Sequence, residues 1–590
     1  MFGIIVAIIF ILIIIINQMA ASLIEVKIKA ALEKNQTEYL VKIGDVGGNI
    51  FFGNIRLKDI EIKPDSNLLQ SIKDGTAPTS TAFDLDIPLI RIVGIGMYDA
   101  IVNSIIEVKT IQIKRAKIKI YKGKARKYEK DTIQEETQSA RFNLDSIYLK
   151  NVSGISLEKI ALINIDFQLW DIEKDKEILS NKLSKFELTG FYIHEYPDTV
   201  NVFYLDADEL KVHISGEEFD LPGGEYKLSL KSLDYAKSDS VLRIKKMKFK
   251  PIWKDKFKMA AQWKFTKEIF DVEIDELNVY SFDFRKLFKE GAVYVDSIAI
   301  TRLNLDIFKD KRYPFDESKR PKLPQQLFKT MKMPLYIGLV KIYDSKLIYK
   351  EKNKTSKDLL TVVLGSLSGE ISFITSLKDS ISTKKSMKIK LRSKMMNKPL
   401  LTTAFELPLY NKNNVFYFSG TLTAAPLKTF NPAAFPALGI KFTEGNLKSL
   451  TFKASATDSV SNGEMTMLYE NLKTEVIKKD HVSKNKFLSW AANTVVKTSN
   501  PGKSGKIRVA VMGYDRDMYK GFMNLVWKTL QTGITNSILP ASKQVKKEDN
   551  SPSRKELKQA EKEESQAKEE TSEEPKKEKR KKKKKKNNKK

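Results

Sequence analysis

The stretch Ile55-Arg56-Leu57-Lys58-Asp59-Ile60-Glu61-Ile62 decides the fold class, because aliphatic and charged side chains largely alternate along it. Alternation with a period of two is typical of a strand that buries one face and exposes the other. The pattern recurs from Tyr39 to about Phe452. Its clearest further examples are Ile118-Lys119-Ile120-Tyr121, Tyr226-Lys227-Leu228-Ser229-Leu230, Leu303-Asn304-Leu305-Asp306-Ile307 and Met387-Lys388-Ile389-Lys390-Leu391. The sequence therefore predicts a mainly β protein whose sheet is apolar on one side and wet on the other.

The phase of this alternation slips within several stretches, which indicates tight turns or bulges. One example runs from Val293/Val295 to Ile298/Ile300 and then to Leu303/Leu305/Ile307. No segment of this region has the pattern of the repeated crossover helices that parallel strands require, so we expect antiparallel meanders. Residues 123–140, which are highly charged, and residues 313–324, where Pro and Lys cluster, are the expected loops or subdomain boundaries.

The pattern changes after Gly463, where two later stretches have apolar residues at helical spacing. The first stretch contains Phe487, Leu488, Ala491, Ala492, Val495 and Val496. The second, from Lys520 to Leu539, contains Phe522, Leu525, Val526, Leu530, Ile534 and Ile538. Trp527 lies beside this aliphatic stripe, with Lys520 and Lys528 near it, a composition that can lie on a membrane interface. The candidate interface helix therefore comprises Phe522, Leu525, Val526, Trp527, Leu530 and Ile534. Packing of the helix over the open end of a sheet is an equal and compatible alternative.

The chain begins with fifteen apolar residues, from Phe2 to Ile16, and the segment can continue through Ile24. A span needs about 20 such residues, so we interpret residues 1–24 as an uncleaved transmembrane anchor. A signal peptide cleaved at Ala20 or Ala21 is the alternative, but the segment lacks a basic start. The lysines after the span would place the body in the cytoplasm if the positive-inside rule acted alone.

The chain is strongly basic, with a net charge of +30, and has no cysteine. Residues 541–590 hold 20 Lys plus Arg against 11 Asp plus Glu and almost no large apolar side chains, so we expect a disordered tail. Such a tail could bind nucleic acid, anionic lipid or glycolipid phosphate through counterion release. We favour a solvated tail, and we do not expect nucleic acid as a partner if the body lies outside the cytoplasm.

The sequence offers little support for an enzyme, and we predict no catalytic residue, no metal and no cofactor. The three histidines, His194, His213 and His481, are far apart, and a site for a transition metal would need distant carboxylates. The glycines of Gly44-Asp45-Val46-Gly47-Gly48 lack the lysine and the helix of a phosphate-binding loop. Two Ser-x-x-Lys pairs, Ser156/Lys159 and Ser382/Lys385, are expected by chance in a chain so rich in lysine.

The segment from Glu38 to Ile62, directly after the predicted anchor, resembles the opening of AsmA-like proteins, in which a "v-x-I-G" strand leads into an "I-x-L-x-D-I-x-I" strand. Three later segments are similar to the end of large AsmA-related envelope proteins of Bacteroidota type. They are Ser461 to Lys473, Asn500-Pro501-Gly502 and Phe522 to Ile534. The uncharged start and the long Lys/Glu tail depart from the family pattern.

The resemblance implies a single-pass protein of the bacterial inner membrane with its body in the periplasm. It also implies an elongated, curved antiparallel β-groove that holds phospholipid acyl chains, acts in lipid transport or outer-membrane biogenesis, and is related to bridge-like lipid transfer proteins. Outer-membrane or other envelope proteins are further expected partners. Our expected lining residues are Ile118, Ile120, Leu303, Leu305 and Ile307, with ordinary core packing as the alternative.

The expected organisation is an anchor (1–24), an AsmA-like β segment (25–125), a charged loop (126–140), a middle groove (141–312), a loop (313–330), a C-terminal groove (331–470), a helical segment (471–540) and a tail (541–590). Two other functions remain open. One is a non-enzymatic envelope scaffold or regulator that binds protein partners and anionic surfaces. The other is a cytoplasmic, membrane-anchored body whose tail binds nucleic acid.

Overall fold

The structure is a computed structural model that describes residues 39–49, 53–77, 80–96, 105–123, 154–195, 203–206, 211–282, 287, 291–354, 356–382, 385–476 and 496–539. The predicted anchor (1–24), charged loop (126–140) and tail (541–590) lie outside these residues, as does nearly all of the helix predicted from Phe487 to Val496. Within the described ranges, no helix has the length and apolarity that a bilayer span requires.

The prediction of a mainly β protein is confirmed, and each alternating stretch quoted above lies in a strand. The strands are β1 (Tyr39–Asn49), β2 (Asn54–Pro64), β3 (Thr81–Gly96), β4 (Ile105–Lys114), β5 (Lys117–Lys122), β6 (Gly154–Asp171), β7 (Lys176–Glu195), β8 (Phe203–Asp206), β9 (Lys211–Asp220), β10 (Tyr226–Ala236), β11 (Val241–Pro251), β12 (Glu268–Tyr280), β13 (Val293–Asp310), β14 (Leu335–Lys352), β15 (Leu359–Thr375), β16 (Ser386–Met395), β17 (Leu400–Pro408), β18 (Phe416–Leu422), β19 (Ala425–Pro426), β20 (Ile440–Ala456), β21 (Val460–Val476) and β22 (Ala510–Asp515). The helices are α1 (Ser66–Asp74), α2 (Lys256–Ala260), α3 (Pro324–Thr330), α4 (Lys378–Ser382), α5 (Asn431–Leu438) and α6 (Phe522–Ile538), and Leu427–Phe430 forms a 3-10 turn.

The chain divides into two compact units. Unit 1 comprises Met1–Asp255 and Phe270–Leu303, and unit 2 comprises Lys256–Ile269 and Asn304–Lys590. In unit 1, consecutive strands are hydrogen-bonded neighbours from β1 to β3, and β3 then pairs with both β4 and β5. Strand β6 follows, then β7, β9, β10, β11 and β12, and the short β8 also pairs with β7.

The expectation of a purely antiparallel sheet is wrong in one place. Strands β4 and β5 form one interrupted line, and both run parallel to β6. A parallel neighbour requires a connection that returns the chain to the same end of the sheet. The long connection between Lys122 and Gly154 permits this return, although most of it lies outside the described ranges. The sheet of unit 1 is therefore mixed.

In unit 2, strands β14 to β18 pair in order, and β18 then pairs with β20, β20 with β21 and β21 with β22, all antiparallel. The segment 313–330, predicted as a loop, contains the short helix α3. The helical segment predicted from residue 471 starts too early, because β21 continues to Val476 and β22 precedes α6. The period-two pattern is weak at these strand ends, which is why the sequence misplaced the boundary. The prediction of a helix between Lys520 and Leu539 is confirmed.

One predicted phase slip, between Ile300 and Leu303, coincides with a left-handed residue inside a strand, and a similar residue occurs at position 59, where no slip was predicted. Arg302 has φ 53° between Ile300 and Leu303, and Asp59 has φ 51° between Leu57 and Ile60. Around Asp59, the pairing with both neighbouring strands skips one position. A bulge shifts the side-chain phase by one residue and bends the strand. Each slip therefore keeps the apolar residues on one face while the backbone turns.

Candidate functional site

The main feature of unit 1 is an apolar line that crosses ten strands without interruption. Its residues are paired directly across neighbouring strands, so their side chains share one face of the sheet. We call this line rung A, and it consists of Val46, Leu57, Ile90, Ile113, Leu162, Phe186, Ile214, Leu233, Ile244 and Leu277. Every strand of unit 1 from β1 to β12 contributes one residue, except the short β5 and β8.

A second line, rung B, runs beside the first from β2 to β12. It consists of Ile55, Ile92, Ile111, Ile160, Leu188, Val212, Tyr235, Leu242 and Val279. Each of its residues lies two positions from the rung A residue of its strand, and residues two apart project from the same face. The two rungs together define a continuous apolar face.

The exposure of this face changes along the rungs. Leu57, Ile90 and Ile113 are fully buried in the hydrophobic cluster of unit 1, which extends as far as Ile214. From β10 onward the rung A residues, Leu233, Ile244 and Leu277, are only half-buried. Beside them on rung B, Leu242 is half-buried, whereas Tyr235 and Val279 are buried. A partly exposed apolar strip on a sheet is a candidate binding surface, because soluble proteins seldom leave a large apolar patch uncovered.

Helix α1 covers a small hydrophobic cluster of unit 1 that is separate from the cluster of the rungs. Asp65 caps this helix by accepting a hydrogen bond from the backbone N–H of Leu68 at 2.8 Å, and Gly75 ends it with φ 72°. Leu68 and Ile72 are buried, with Tyr121 packed against their cluster. The helix therefore covers apolar side chains beside β5.

The opposite face of unit 1 is polar and carries ion pairs at the bulges. Asp275 on β12 accepts hydrogen bonds from Lys246 Nζ at 2.8 Å and from Arg302 Nε at 2.6 Å. These bonds, that from Lys246 first, hold the pKa of the Asp275 carboxyl below its usual range. Lys246 and Arg302 are both left-handed bulge residues. The charged side chains at these positions thus lie on the solvent-exposed polar face, and the apolar face carries none of them.

One carboxylate, that of Glu217, is nevertheless buried where β9 parts from β7. Glu217 follows the left-handed Gly216 and lies opposite Leu230. Its Oε1 accepts hydrogen bonds from the backbone N–H groups of Ser184 at 2.8 Å and of Lys185 at 3.0 Å. The direct pairing of β7 with β9 begins only at Phe186 and Ile214. The side chain therefore replaces the missing backbone partner, and buried donors need such partners.

Unit 2 has an apolar line of its own across six strands. It consists of Val340, Ile371, Ile389, Phe405, Phe418 and Ala454. Helix α6 covers its far end, because the Phe522 ring lies 6.0 Å from that of Phe405. Leu525 and Val526 are buried in the same cluster, and Leu530 and Ile534 pack against it. Of the six residues predicted to contact a membrane, Trp527 alone is exposed, at 37%. The other five residues pack into the core of unit 2, as expected from the alternative prediction of a helix packed over a sheet.

The predicted lining residues fall into two groups. Ile118 is buried on the line that joins Leu85 to Phe167, and Ile120 packs against the same cluster. On β13, helix α2 covers the side that carries Asp306 and Phe308. Asp306 Oδ1 lies 3.0 Å from Lys256 Nζ, and the rings of Phe308 and Phe257 are 4.9 Å apart.

Leu303, Leu305 and Ile307 are half-buried and project from the side of β13 opposite α2. Sequence reasoning missed most of rungs A and B, although the alternation within each strand marked which residues were apolar. The missing signal was the pairing between strands, which decides which apolar residues meet.

No group of three or more potential metal ligands occurs within the ranges that the structure describes. His213 Nδ1 lies 2.5 Å from Asp234 Oδ1, on a partly exposed part of the sheet between β9 and β10. His481 lies outside the described ranges, as does the side chain of His194.

No family model matches this chain, and no curated protein sequence is significantly similar to it.

Proposed function

We propose that the apolar face of unit 1 binds the acyl chains of phospholipids, in a membrane-anchored, non-enzymatic protein of AsmA-like type. Its role would be lipid transport between membranes or outer-membrane biogenesis. The observation that carries the proposal is rung A, which presents apolar side chains on ten consecutive strand positions. An ordinary core also has an apolar face, but a second layer covers that face fully. Cover is incomplete over Leu233, Ile244 and Leu277, whereas Leu57, Ile90 and Ile113 are fully buried.

The dimensions and energies suit an acyl chain. Strands lie about 4.8 Å apart, so ten strands give a face roughly 43 Å wide, which exceeds the hydrocarbon thickness of about 30 Å in a whole bilayer. Each methylene group that leaves water contributes about 0.8 kcal/mol. A lipid tail lying along the half-buried side chains of β10 to β12 would therefore be held by several kcal/mol without a specific polar contact.

The proposed placement in the cell rests on the AsmA-like resemblance, because the lysines after the predicted anchor would by themselves favour the cytoplasm. We propose that residues 1–24 anchor the chain in the bacterial inner membrane and that the body lies in the periplasm, as the AsmA-like resemblance implies. Alkaline phosphatase fused after Leu539 would be active in the periplasm and inactive in the cytoplasm. An inactive fusion would favour the cytoplasmic alternative and contradict the proposed route.

Site-specific photo-crosslinking tests the binding itself, in the full-length chain and in intact cells. The adjacent residues Leu233 and Ser232 form a matched pair, because Leu233 lies on rung A opposite Ile244, whereas Ser232 lies on the polar face opposite Lys245. A photoreactive phenylalanine at position 233 should give adducts with phospholipid, and the same group at position 232 should not.

The scaffold alternative gives a different result in the same experiment. Adducts with a protein at position 233, without lipid, would show that the apolar face is an interface with a partner. Equal lipid adducts at positions 232 and 233 would mean that the crosslinks report the surrounding membrane and would remove the support for a specific face.

A further inference from the structure

Six large apolar side chains remain exposed on two segments of unit 2. Leu327, Met331 and Met333 belong to α3 and the residues after it, and Met518, Met523 and Trp527 belong to α6 and the residues before it. We call these six residues the methionine patch. Met523 is the most exposed of them, at 64%. Of these six residues, only Trp527 was among the predicted membrane contacts. The other predicted contacts on α6 pack inward.

Direct contacts join the two segments. Arg516 Nη2 donates a hydrogen bond to the carbonyl oxygen of Pro321 at 2.5 Å, immediately before α3. The ammonium group of Lys520 lies 5.1 Å from the centre of the Phe315 ring, which in turn lies 6.0 Å from that of Tyr519. The methionine patch is therefore carried by neighbouring parts of one unit.

Basic residues outnumber acidic ones around the patch, with eight Lys and Arg against Asp316, Glu317, Asp515 and Asp517 in residues 315–333 and 515–528. Residues 319–332 include Lys319, Arg320, Lys322, Lys329 and Lys332 and no acidic residue. All five are exposed. An anionic surface that met the patch would therefore also meet these cations, each of which is worth an affinity factor of about five near such a surface.

Lys528 on α6 lies among further charged groups. Its Nζ donates a hydrogen bond to the neutral Gln531 side chain at 3.0 Å. Burial lowers the pKa of Lys528, and the nearby Lys311 and Lys520 lower it further, whereas Asp517 and Glu351 oppose this. Asp517 pairs with Lys520 at 2.6 Å and Glu351 pairs with Lys311 at 2.7 Å, so the positive charge near the patch comes mainly from residues 319–332.

We propose that the methionine patch docks onto the surface of a bilayer that contains anionic phospholipid. Flexible Met and Leu side chains and a Trp ring would enter the boundary between headgroups and acyl chains, and the lysines would bind the headgroup phosphates. The patch residues, which are distant in sequence from the predicted anchor at 1–24, would make a second contact with a membrane. The proposal does not depend on acyl-chain binding by unit 1.

The cysteine-free chain permits a clean test with single labels on the full-length protein, held in an amphipathic polymer. An environment-sensitive fluorophore is attached to Met523→Cys, to Met331→Cys and to the control Lys453→Cys, an exposed residue of β20. Phosphatidylcholine vesicles with phosphatidylglycerol should increase the fluorescence at positions 523 and 331, and spin-labelled lipid should quench it. Position 453 should not respond.

Charge variants provide the second measurement. The double variant Lys319→Gln/Lys322→Gln should weaken binding to the phosphatidylglycerol vesicles by at least about tenfold. The matched control Lys448→Gln/Lys473→Gln removes two lysines that pair with Glu470 and Glu444 elsewhere in unit 2 and should bind as the parent does. No fluorescence change at positions 523 and 331, an equal change at 453, or unaltered binding by the first double variant would overturn the proposal.

Discussion

Lys246 Nζ lies 2.8 Å from Asp275 Oδ1, at the point where the pairing of β11 with β12 skips one position on both strands. On one side of this point Ile244 is paired with Leu277, and on the other Met247 is paired with Ile274. Both pairs are apolar, because the bulge changes the phase of each strand together. The ion pair therefore lies where both strands change the phase of their side chains, and this change keeps rung A and its apolar neighbours on one face.

The bulge at Asp59 should tolerate glycine but reject a β-branched residue. Asp59 has φ 51°, which costs most residues roughly 1–2 kcal/mol and costs glycine little. Asp59→Val should lower the melting temperature by several degrees, and Asp59→Gly should leave it unchanged or raise it. Arg56→Val, at an exposed position of the same strand, is the control for valine itself. An equal loss in Asp59→Val and Arg56→Val would show that the left-handed conformation is not the constraint.

Removal of the Glu217 side chain should loosen the junction of β7 and β9. Glu217→Ala leaves the backbone N–H groups of Ser184 and Lys185 without their acceptor, at about 1–3 kcal/mol for each group. Hydrogen exchange should accelerate at these two amides, whereas Glu217→Gln, which keeps one acceptor oxygen, should give a smaller effect. Unchanged exchange in Glu217→Ala would contradict the role of this carboxylate.

Helix α6 should depend on its inward side for stability. Leu525 is 1% exposed within the core of unit 2, and Leu→Ala in a core costs about 2–5 kcal/mol. Trp527→Ala, on the outward side, should change thermal stability far less. A comparison of the two melting temperatures checks the orientation of the helix. A larger loss in Trp527→Ala would mean that the outward side of α6 is packed.

The Tyr469 hydroxyl should make unit 2 sensitive to alkaline pH. It donates a hydrogen bond to the carbonyl oxygen of Lys497 at 3.0 Å and accepts one from Arg508 Nη2 at 3.0 Å. Burial raises the pKa of Tyr469 to about 12 from 10.0, although Arg508 opposes the rise. The folded state therefore keeps the proton longer than the unfolded state does.

Because the unfolded chain loses this proton first, the contribution of Tyr469 to stability is complete below pH 10 and decreases as the pH rises from about 10 to 12. The loss is of the order of 2 kcal/mol. Tyr469→Phe should be less stable than the parent at pH 8, because the hydrogen bonds are lost, but its stability should fall less steeply above pH 10. Parallel curves for the two proteins from pH 8 to 12 would contradict this assignment.

The sequence predicted the strands and the phase slip near Arg302, because both follow from the local order of apolar and charged residues, but it did not predict the left-handed residue at Asp59. It did not predict that Phe186, Ile214 and Leu233 would meet on one line. Pairing depends on contacts between residues far apart in the chain, and alternation within one strand does not define them.

The same limit explains the errors in detail. Strand β4 has a parallel partner because the long connection before β6 brings the chain back to the same end of the sheet. The local order of apolar and polar residues does not reveal such a connection. On α6, the apolar pattern of the sequence marked both Leu525 and Trp527 as candidate membrane contacts. Such a pattern shows which side of a helix is apolar, but it does not show what covers that side. Only the packing against β21 and β22 separates the buried leucine from the exposed tryptophan.

Lipid mass spectrometry of three full-length proteins is the sharpest test of acyl-chain binding by rung A. The parent, Leu233→Asp and Ser232→Asp are purified under the same mild conditions, and far-UV circular dichroism checks that each is folded. The two variants place the same carboxylate on adjacent residues, on the apolar and on the polar face.

We expect phospholipid bound to the parent and to Ser232→Asp in equal amounts, with a clear reduction in Leu233→Asp, because a charge in an apolar site is costly. Absence of lipid from all three proteins, or equal lipid on folded Leu233→Asp and the parent, would contradict acyl-chain binding by rung A.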